Sequence, residues 1–559
     1  MLKSLERELI QLIKESIRKN FPSLKKTSLN VTLEIPKDKE HGNLTSNIAL
    51  KLSSILRKNP FDIAEIIKKD TLKQLKGTKL KRQITSIEIK NPGFINFYLS
   101  EDFLFQLLKI IINTPKKFKP TNLGKGKRIQ IEFVSANPTG PLSIAHGRQA
   151  AVGDTLANIM ELCGYKVTRE YFINDEGNQI DALAKSVYAR YLQLHNNKSS
   201  LPKDGYQGEY VIDIAKEFDK KFGDRFIDSK KEHNLLNMIS TFSINRILSG
   251  IKDDLDNFGV HMDVWFSQKA LSKNGQIDKI IKEFKDKGLV YEKDKALWFR
   301  ATEFGDDKDR VVVKSNGEYT YLAPDAAYHK DKYKRKFNKV INIWGPDHHG
   351  YIKRLKAAVS ALGCPDGFIE VLIIQLASLY RKGKPIPMST RKGEYITLAE
   401  LANEIGVDAA RFFFLMRKTN THLNLDIELA KKKSLDNPVY YIQYAHARIC
   451  SIIENQRKIR KRFKQSDYSL LNTPEEKEVI RSLIEFAHIV ELAALNLEPY
   501  FLTMYLRQLA DSFHSFYQKY RVLGEDSALT AARLKLIQAV KNVLSKGLNI
   551  LGVSTPTKM

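Results

Sequence analysis

The chain has 559 residues, too many for one hydrophobic core, because cores stop growing at roughly 250 to 300 residues and longer chains divide into units. Apolar residues make up 43% and aromatic residues 10%, an ordinary globular balance that excludes wholesale disorder. Lys and Arg number 91 against 64 Asp and Glu, a formal charge of +27 that draws polyanions such as nucleic acid; lysines that merely solvate helix faces would read the same way.

Residues 1–115 read as a first α+β unit. It opens with an amphipathic helix (Leu2, Leu5, Leu9, Leu12, Ile13) whose Glu6, Glu8 and Glu15 argue against a transit peptide. An extended stretch from Leu29 to Ile35, a helix through Ile48 to Leu56 and a hairpin around Asn91-Pro92-Gly93 follow. The lysine-rich run Lys116 to Lys127, broken by Pro120, Gly124 and Gly126, reads as a linker. Residues 120–435 alternate short apolar strands (IQIEFVSA, KVINIW, EVLIIQL) with helical stretches, which implies an α/β core on a parallel sheet, with a more polar, helical insertion at about 185–300. Residues 436–559 read as an all-α bundle: Asn437-Pro438 caps one helix, Thr473-Pro474-Glu475-Glu476 is a capping box, Glu498-Pro499 opens a third helix, and Leu502, Leu506, Leu509, Phe513 and Phe516 keep a helical period.

Cys163, Cys364 and Cys450 lie far apart without C-x-x-C spacing, so neither a disulfide framework nor a metal site is indicated and a reducing compartment is expected. No apolar run approaches the ~18 residues that cross a bilayer; the best, Phe368 to Tyr380, is short and carries Glu370.

The densest constellation is EFVSANPTGPLSIAHGR, Glu132 to Arg148, running from a strand through a Pro- and Gly-shaped loop into a helix near His146. Such a loop aims backbone N–H groups and the positive end of a helix dipole at a ligand, a natural seat for a triphosphate. The glycine at 147 is expected to permit close approach of adenine or ribose. A helix start and a basic surface turn at PMSTRKG (Pro387 to Gly393) would each pass as plain structure if met alone.

Together these motifs resemble the class I aminoacyl-tRNA synthetases, which carry H-x-G-H at this place of a Rossmann-type fold, and among them the arginyl-tRNA synthetases, which have ANPTGP directly before it. Here the element is Ser143-Ile144-Ala145-His146, so a hydroxyl stands where the family usually offers an imidazole: the donor is kept and a possible positive charge is lost. PMSTRKG resembles the mobile K-M-S-K-S loop, with Met388 and Ser389 matching and Pro387 and Arg391 in the two lysine places; Lys384 and Lys392 are further cations. The resemblance implies catalytic roles for Ser143, His146, Arg391 and Lys392, and ATP contacts along Ala136, Asn137, Pro138, Thr139, Gly140, Pro141, Leu142, Ser143, Ile144, Ala145, His146 and Gly147 with Met388 and Ser389.

The guanidinium of arginine is planar, always charged and rich in donors, so its pocket needs carboxylates in fork geometry and neutral acceptors. Glu132, Asn137, Tyr321, Asp325 and Asp347 are the implied contacts, with His348 and His349 beside Asp347; Tyr321 and Asp325 share a helix face, although core and cap are the ordinary uses of such a pair. In DNPVYYIQYAHARI, Tyr441, Tyr444, His446 and Arg448 are implied tRNA contacts, and the first unit resembles the family's extra tRNA-contacting domain. The expected activity is ATP-dependent formation of arginyl-adenylate and transfer to tRNA(Arg) by a cytoplasmic monomer, using ATP with Mg²⁺ as a substrate complex, no tightly bound cofactor and no membrane. Three other readings stay open on the residues: an RNA-binding relative without activity, a nucleotidylyltransferase, and a synthetase for another amino acid.

Overall fold

The structure, a computed structural model, describes residues 2–25, 27–36, 38–114, 118–227, 232–386, 395–458, 466–524 and 526–559. Its centre is a wholly parallel five-stranded sheet in the order Ile369–Ile373, Lys339–Trp344, Arg128–Glu132, Lys166–Ile173, Val264–Ser267. The first of these in the chain, Arg128–Glu132, lies in the middle. Two strands are added on one side before the chain crosses to the other, so the order reverses between Arg128–Glu132 and Lys339–Trp344. A crevice opens outside the carboxyl ends of a parallel sheet at such a reversal.

Alternation along the central strand assigns its two faces. Phe133 meets the Ile144–Leu162 helix at Gly153, where a Cβ would lie 2.2 Å from the phenyl ring. Glu132 points the other way, to Lys332 on the Leu322–Lys334 helix. The α/β architecture with helices on both faces is the one the strand–helix alternation implies.

The expected insertion is only partly separate from this core. Helices Asn178–Leu194, Glu209–Phe222 and Glu232–Asn257 leave the sheet, but Val264–Ser267 returns to form its edge, and a small antiparallel sheet of Val290–Lys293, Ala296–Phe299 and Arg310–Val313 follows. The first unit contains the expected hairpin, Ile84–Lys90 against Phe94–Leu99, flanked by Leu44–Ser46. Leu29 to Ile35 is irregular apart from a bridge at Glu34, and a helix not anticipated, Pro60–Leu75, starts where Asn59 caps it and Pro60 fills its first position.

Helices Pro438–Lys458, Pro474–Asn496, Tyr500–Lys519 and Ser527–Ile550 form the C-terminal bundle, with the Thr473–Glu476 capping box in place. The lysine-rich linker does not span solvent: the ring of Phe118 lies 6.1 Å from that of Phe486, and the N–H of Thr121 donates to Glu491 at 2.6 Å. Lys3 of the first helix reaches the same carboxylate at 2.7 Å, so the first unit meets the C-terminal bundle there.

Candidate functional site

After Glu132 the chain turns through Val134 and Ser135, both left-handed (φ 69° and 38°), a conformation that costs an L residue about 1–2 kcal/mol and persists where its surroundings fix it. Here the hydroxyl of Ser135 accepts the N–H of Phe172 at 3.1 Å and donates to Glu132 at 3.3 Å, while the buried hydroxyl of Tyr171 donates to the carbonyl of Ala136 at 2.8 Å. Asn137 emerges half-buried, its amide donating to Gln179 Oε1 at 2.7 Å. Pro138 to Leu142 pass beneath two tyrosines: Tyr210 donates to Thr139 O at 2.7 Å with its ring against Gly140, and Tyr395 donates to Pro141 O at 3.0 Å.

Ser143 caps the Ile144–Leu162 helix, and its backbone N–H donates to His146 Nδ1 at 3.1 Å. That nitrogen must be an acceptor, so the neutral ring carries its hydrogen on Nε2. Burial pushes the pKa of His146 down to about 4, which keeps the ring neutral at physiological pH. The serine hydroxyl lies 3.2 Å from the same Nδ1, turned toward His146 rather than standing free. Ala145 is half-buried and Ile144 is buried. Gly147 has a packing reason that sequence alone did not supply: a Cβ there would lie 2.6 Å from Leu398 Cδ1 and 3.1 Å from the ring of Phe414.

Arg148, only 1% exposed, was not singled out by the sequence. It donates to the carbonyls of Gln375 (2.7 Å), Thr421 (3.0 Å) and Lys418 (2.9 Å), stretches that bracket the basic loop. Met388, Ser389, Arg391 and Lys392 lie outside the described residues. Lys384 is exposed on a short strand paired with Arg381.

At the reversal crevice, strand register sets three polar residues side by side. Glu132 is paired with Glu170 on one neighbour and with Asn342 on the other. Strands are ~4.8 Å apart, so two buried carboxylates in register demand cations. The Leu322–Lys334 helix and its end supply them. Lys332 Nζ lies 2.5 Å from Glu132 Oε2, and Arg335 grips Glu170 through two bonds of 2.6 and 2.9 Å, with the Tyr328 hydroxyl donating to Glu170 at 2.6 Å. Burial opposes the charge of Glu170, yet the Arg335 bond and nearby Lys332 outweigh it and hold the carboxyl below its ordinary range.

Asp325 belongs to the same helix and accepts a bond from the Tyr351 hydroxyl at 2.6 Å. Burial raises its pKa to about 6 against that bond, with Glu132 adding to the rise. Tyr321, 78% exposed, stands at the helix start above it, and Asp347, His348 and His349 are exposed on the turn after Lys339–Trp344. Glu132 therefore differs from the expected free fork partner: it is 6% exposed and already neutralised by Lys332, a residue the sequence reading did not name.

In the bundle, Tyr441 donates to Asp511 at 2.6 Å, and Tyr444 is half-buried, stacked 5.9 Å from His514, with its hydroxyl accepting from Arg448 at 2.9 Å. Arg448 is exposed and lies over Tyr517. His446 departs from the expectation of a surface contact: it is 2% exposed and donates through Nδ1 to Pro556 O at 2.9 Å, so the C-terminal segment covers it.

Three family models match in chain order: Arginyl tRNA synthetase N terminal domain over residues 7–99, tRNA synthetases class I (R), catalytic domain over 106–447, and DALR anticodon binding domain over 442–559. The chain belongs to the arginyl-tRNA synthetases. It is 46% identical over 532 residues to the arginine–tRNA ligase of Geobacter sp. (strain M21), covering 95% of each chain. To the arginine–tRNA ligase of Bacillus subtilis (strain 168) it is 44% identical over 532 residues, covering 95% of this chain and 94% of that one. The arginyl-tRNA synthetase of Thermus thermophilus shares the fold with a TM-score of 0.79 at 20% identity, over 99% of this chain and all of that one. Membership in a class I family implies the use of ATP. Among the described residues, no helix of this synthetase is long and apolar enough to cross a membrane, and no group of three or more His, Cys, Asp or Glu could hold a metal ion.

Proposed function

We propose that this chain is an arginine–tRNA ligase that forms arginyl-adenylate from L-arginine and ATP, releasing diphosphate, and passes the arginyl group to the 3′ end of tRNA(Arg), releasing AMP. The observation that carries the reading is the juxtaposition at the sheet reversal: a helix start bearing a neutral histidine donor beside a crevice in which Asp325, among the described residues, has a tyrosine hydroxyl and no ion pair, whereas Glu132 is paired with Lys332.

The arginine carboxylate attacks the α-phosphorus of ATP, which arrives as its Mg²⁺ complex. Phosphoryl-group chemistry of this kind needs position and charge stabilisation more than a strong base. His146 supplies the Nε2–H to phosphate oxygens, and the first turn of its helix supplies N–H groups and the dipole. Ser143 orients that ring through its N–H, and the loop Ala136 to Leu142 lies along the nucleotide with Ile144, Ala145 and Gly147 at its far end. Arg391 and Lys392, with Met388 and Ser389, meet the departing diphosphate. Asp325 takes the guanidinium, Tyr321 and Asp347 close its rim, Asn137 holds the α-substituents, and Glu132 contributes one edge of the pocket from within its ion pair. Tyr441, Tyr444 and Arg448 face the anticodon loop, the first unit meets the tRNA body, and the enzyme acts as a cytoplasmic monomer without a tightly bound cofactor.

Aminoacylation of total tRNA with each amino acid in turn tests the reading. Charging by arginine alone is expected. Charging by another amino acid overturns the specificity, and a folded protein that neither charges tRNA nor exchanges diphosphate favours an RNA-binding relative, the reading suggested by the altered Ser143-Ile144-Ala145-His146 element.

A further inference from the structure

Lys332 is a lysine with no access to solvent: its side chain is 0% exposed. Its ammonium has three N–H groups, and the structure accounts for them. One donates to Glu132 Oε2 at 2.5 Å, one to Asn342 Oδ1 at 3.2 Å, and the face of the Tyr328 ring lies 4.1 Å away. The chain continues in one direction only. Asn342, itself 0% exposed, can donate only from its amide nitrogen, which lies 2.7 Å from His329 Nε2. His329 Nδ1 then lies 2.8 Å from the carbonyl of Asp325, which can only accept. Burial, then the nearby ammonium, keeps the His329 ring neutral, so one nitrogen accepts and the other donates as the chain requires.

We propose that Lys332 is a positioning residue for arginine recognition: its buried ammonium fixes Glu132 directly and, through Asn342 and His329, fixes the helix turn that carries Asp325. The inference rests on the reading that Asp325 meets the guanidinium. Charge supports it as well as geometry. Glu132 pairs with Lys332 and Glu170 with Arg335, whose Nε also reaches the half-buried Asp331, while Asp325 has the Tyr351 hydroxyl and no ion pair among the described residues, which leaves its carboxylate for the positive charge of an arginine side chain. Without the lysine, two carboxylates would compete for one guanidinium, and Asn342 would lose the bond that keeps its amide turned toward His329. Buried polar chains orient their members only while every link is satisfied, which is why a link three bonds from Asp325 matters.

The test uses the full chain with tRNA present and reads arginine and ATP KM in ATP–diphosphate exchange, with melting temperature as a folding control, for Asn342→Leu, Lys332→Met and the double variant. Asn342→Leu cuts the chain while leaving the Lys332–Glu132 pair in place. A hydrogen bond to a charged group contributes enough that arginine KM should rise about tenfold or more, with ATP KM moving less than about twofold. In the double variant the rise should resemble that of the more severe single change, as expected for two links of one chain. A folded Asn342→Leu enzyme whose arginine KM is unchanged overturns the proposal, as does a parallel rise in both KM values or an additive double variant; if Lys332→Met does not fold, Asn342→Leu decides alone. Asp325→Ala separates the two layers. If it leaves arginine KM unchanged, the site reading falls and takes the proposal with it; if it raises arginine KM while Asn342→Leu does not, only the role of Lys332 falls.

Discussion

The donor role of His146 makes the sharpest prediction for activity. The ring is held by the Ser143 N–H on Nδ1 at 3.1 Å, which leaves Nε2–H as its one donor, and burial holds its pKa at about 4. Removing a preorganised donor from a developing charge costs about 10²–10³ in kcat, or roughly 2.7–4 kcal/mol of transition-state stabilisation. His146→Ala should therefore lose about that factor in ATP–diphosphate exchange, with ATP KM changed little. His146→Gln is the informative companion. Its Oε1 can accept the Ser143 N–H as glutamine does at this position of a capping box, and its amide can donate outward, so it should recover about tenfold or more over alanine. Because the folded ring stays neutral down to about 4, kcat should show no titration near the ordinary histidine value of 6.5. A rate that climbs as pH drops through 6.5 in the parent enzyme and not in His146→Gln would show an imidazolium at work. That result, or a glutamine variant as slow as the alanine one, refutes the neutral-donor argument.

Asp325 should give arginine binding a pH dependence of its own: a guanidinium selects the carboxylate, so arginine KM should rise as pH falls through about 6, and a flat KM across that range would place the guanidinium elsewhere. Tyr351, Glu132, Lys332 and His329 all border that titration, and Asp325→Asn should abolish it while raising KM. Arg411→Met should destabilise the junction of catalytic core and bundle. Arg411 is 0% exposed and bonds Asp154 at 2.6 Å together with the carbonyls of Leu551, Phe258 and Gly259, and breaking a buried pair costs about 3–5 kcal/mol, the lower end applying because Arg169 also reaches Asp154. Faster hydrogen exchange at Leu551 to Val553 and a lower melting temperature check this; a loss under about 1 kcal/mol sinks it. His146 and His488, both held by burial at about 4, should destabilise the fold in acid. The unfolded rings take up protons below 6.5 while the folded ones stay neutral, so stability should be level above 6.5 and fall from there toward about 4, as melts across that range would show.

What was legible in the sequence was what neighbours along the chain decide. IQIEFVSA could be read as a strand ending at a loop, Thr473 to Glu476 as a cap, and Asn91-Pro92-Gly93 as a hairpin, because each signal spans only a few residues. What stayed hidden depends on distant partners. Glu132 is implied by the sequence as an arginine contact, and its ion pair stayed hidden because Lys332, 200 positions away, carries no motif; the only local sign of that lysine is that it follows Asp325 at helical spacing. His446 looked like a base contact because nothing near it announces that Pro556 comes back to cover it. Gly147 looked like an opening for a ligand because Leu398 and Phe414 belong to later helices. Val264–Ser267 was lost inside a polar stretch because a four-residue edge strand, half-buried throughout, has too little apolar pattern to stand out.

The Ile144–Leu162 helix explains why so many charges are buried around a site whose ligands are themselves charged. Its start bears His146; two residues further on, Arg148 ties it to three carbonyls on either side of the basic loop. Two turns later Asp154 meets Arg411, and Asn158 donates to Ile550 O at 3.0 Å at the end of the last bundle helix. Apolar packing alone would let this helix slide or rotate by a fraction of a turn, since leucines and phenylalanines tolerate small shifts, whereas a guanidinium shared among fixed carbonyls does not. The direction of His146 Nε2–H is thus set over some 18 Å of helix, at 1.5 Å per residue, by groups drawn from both the catalytic core and the bundle. The bundle thus braces the helix that carries His146, and cutting it away would remove the Ile550 carbonyl to which Asn158 donates and the Leu551 carbonyl that Arg411 holds, so loss of activity on truncation says nothing by itself about which reaction the enzyme performs.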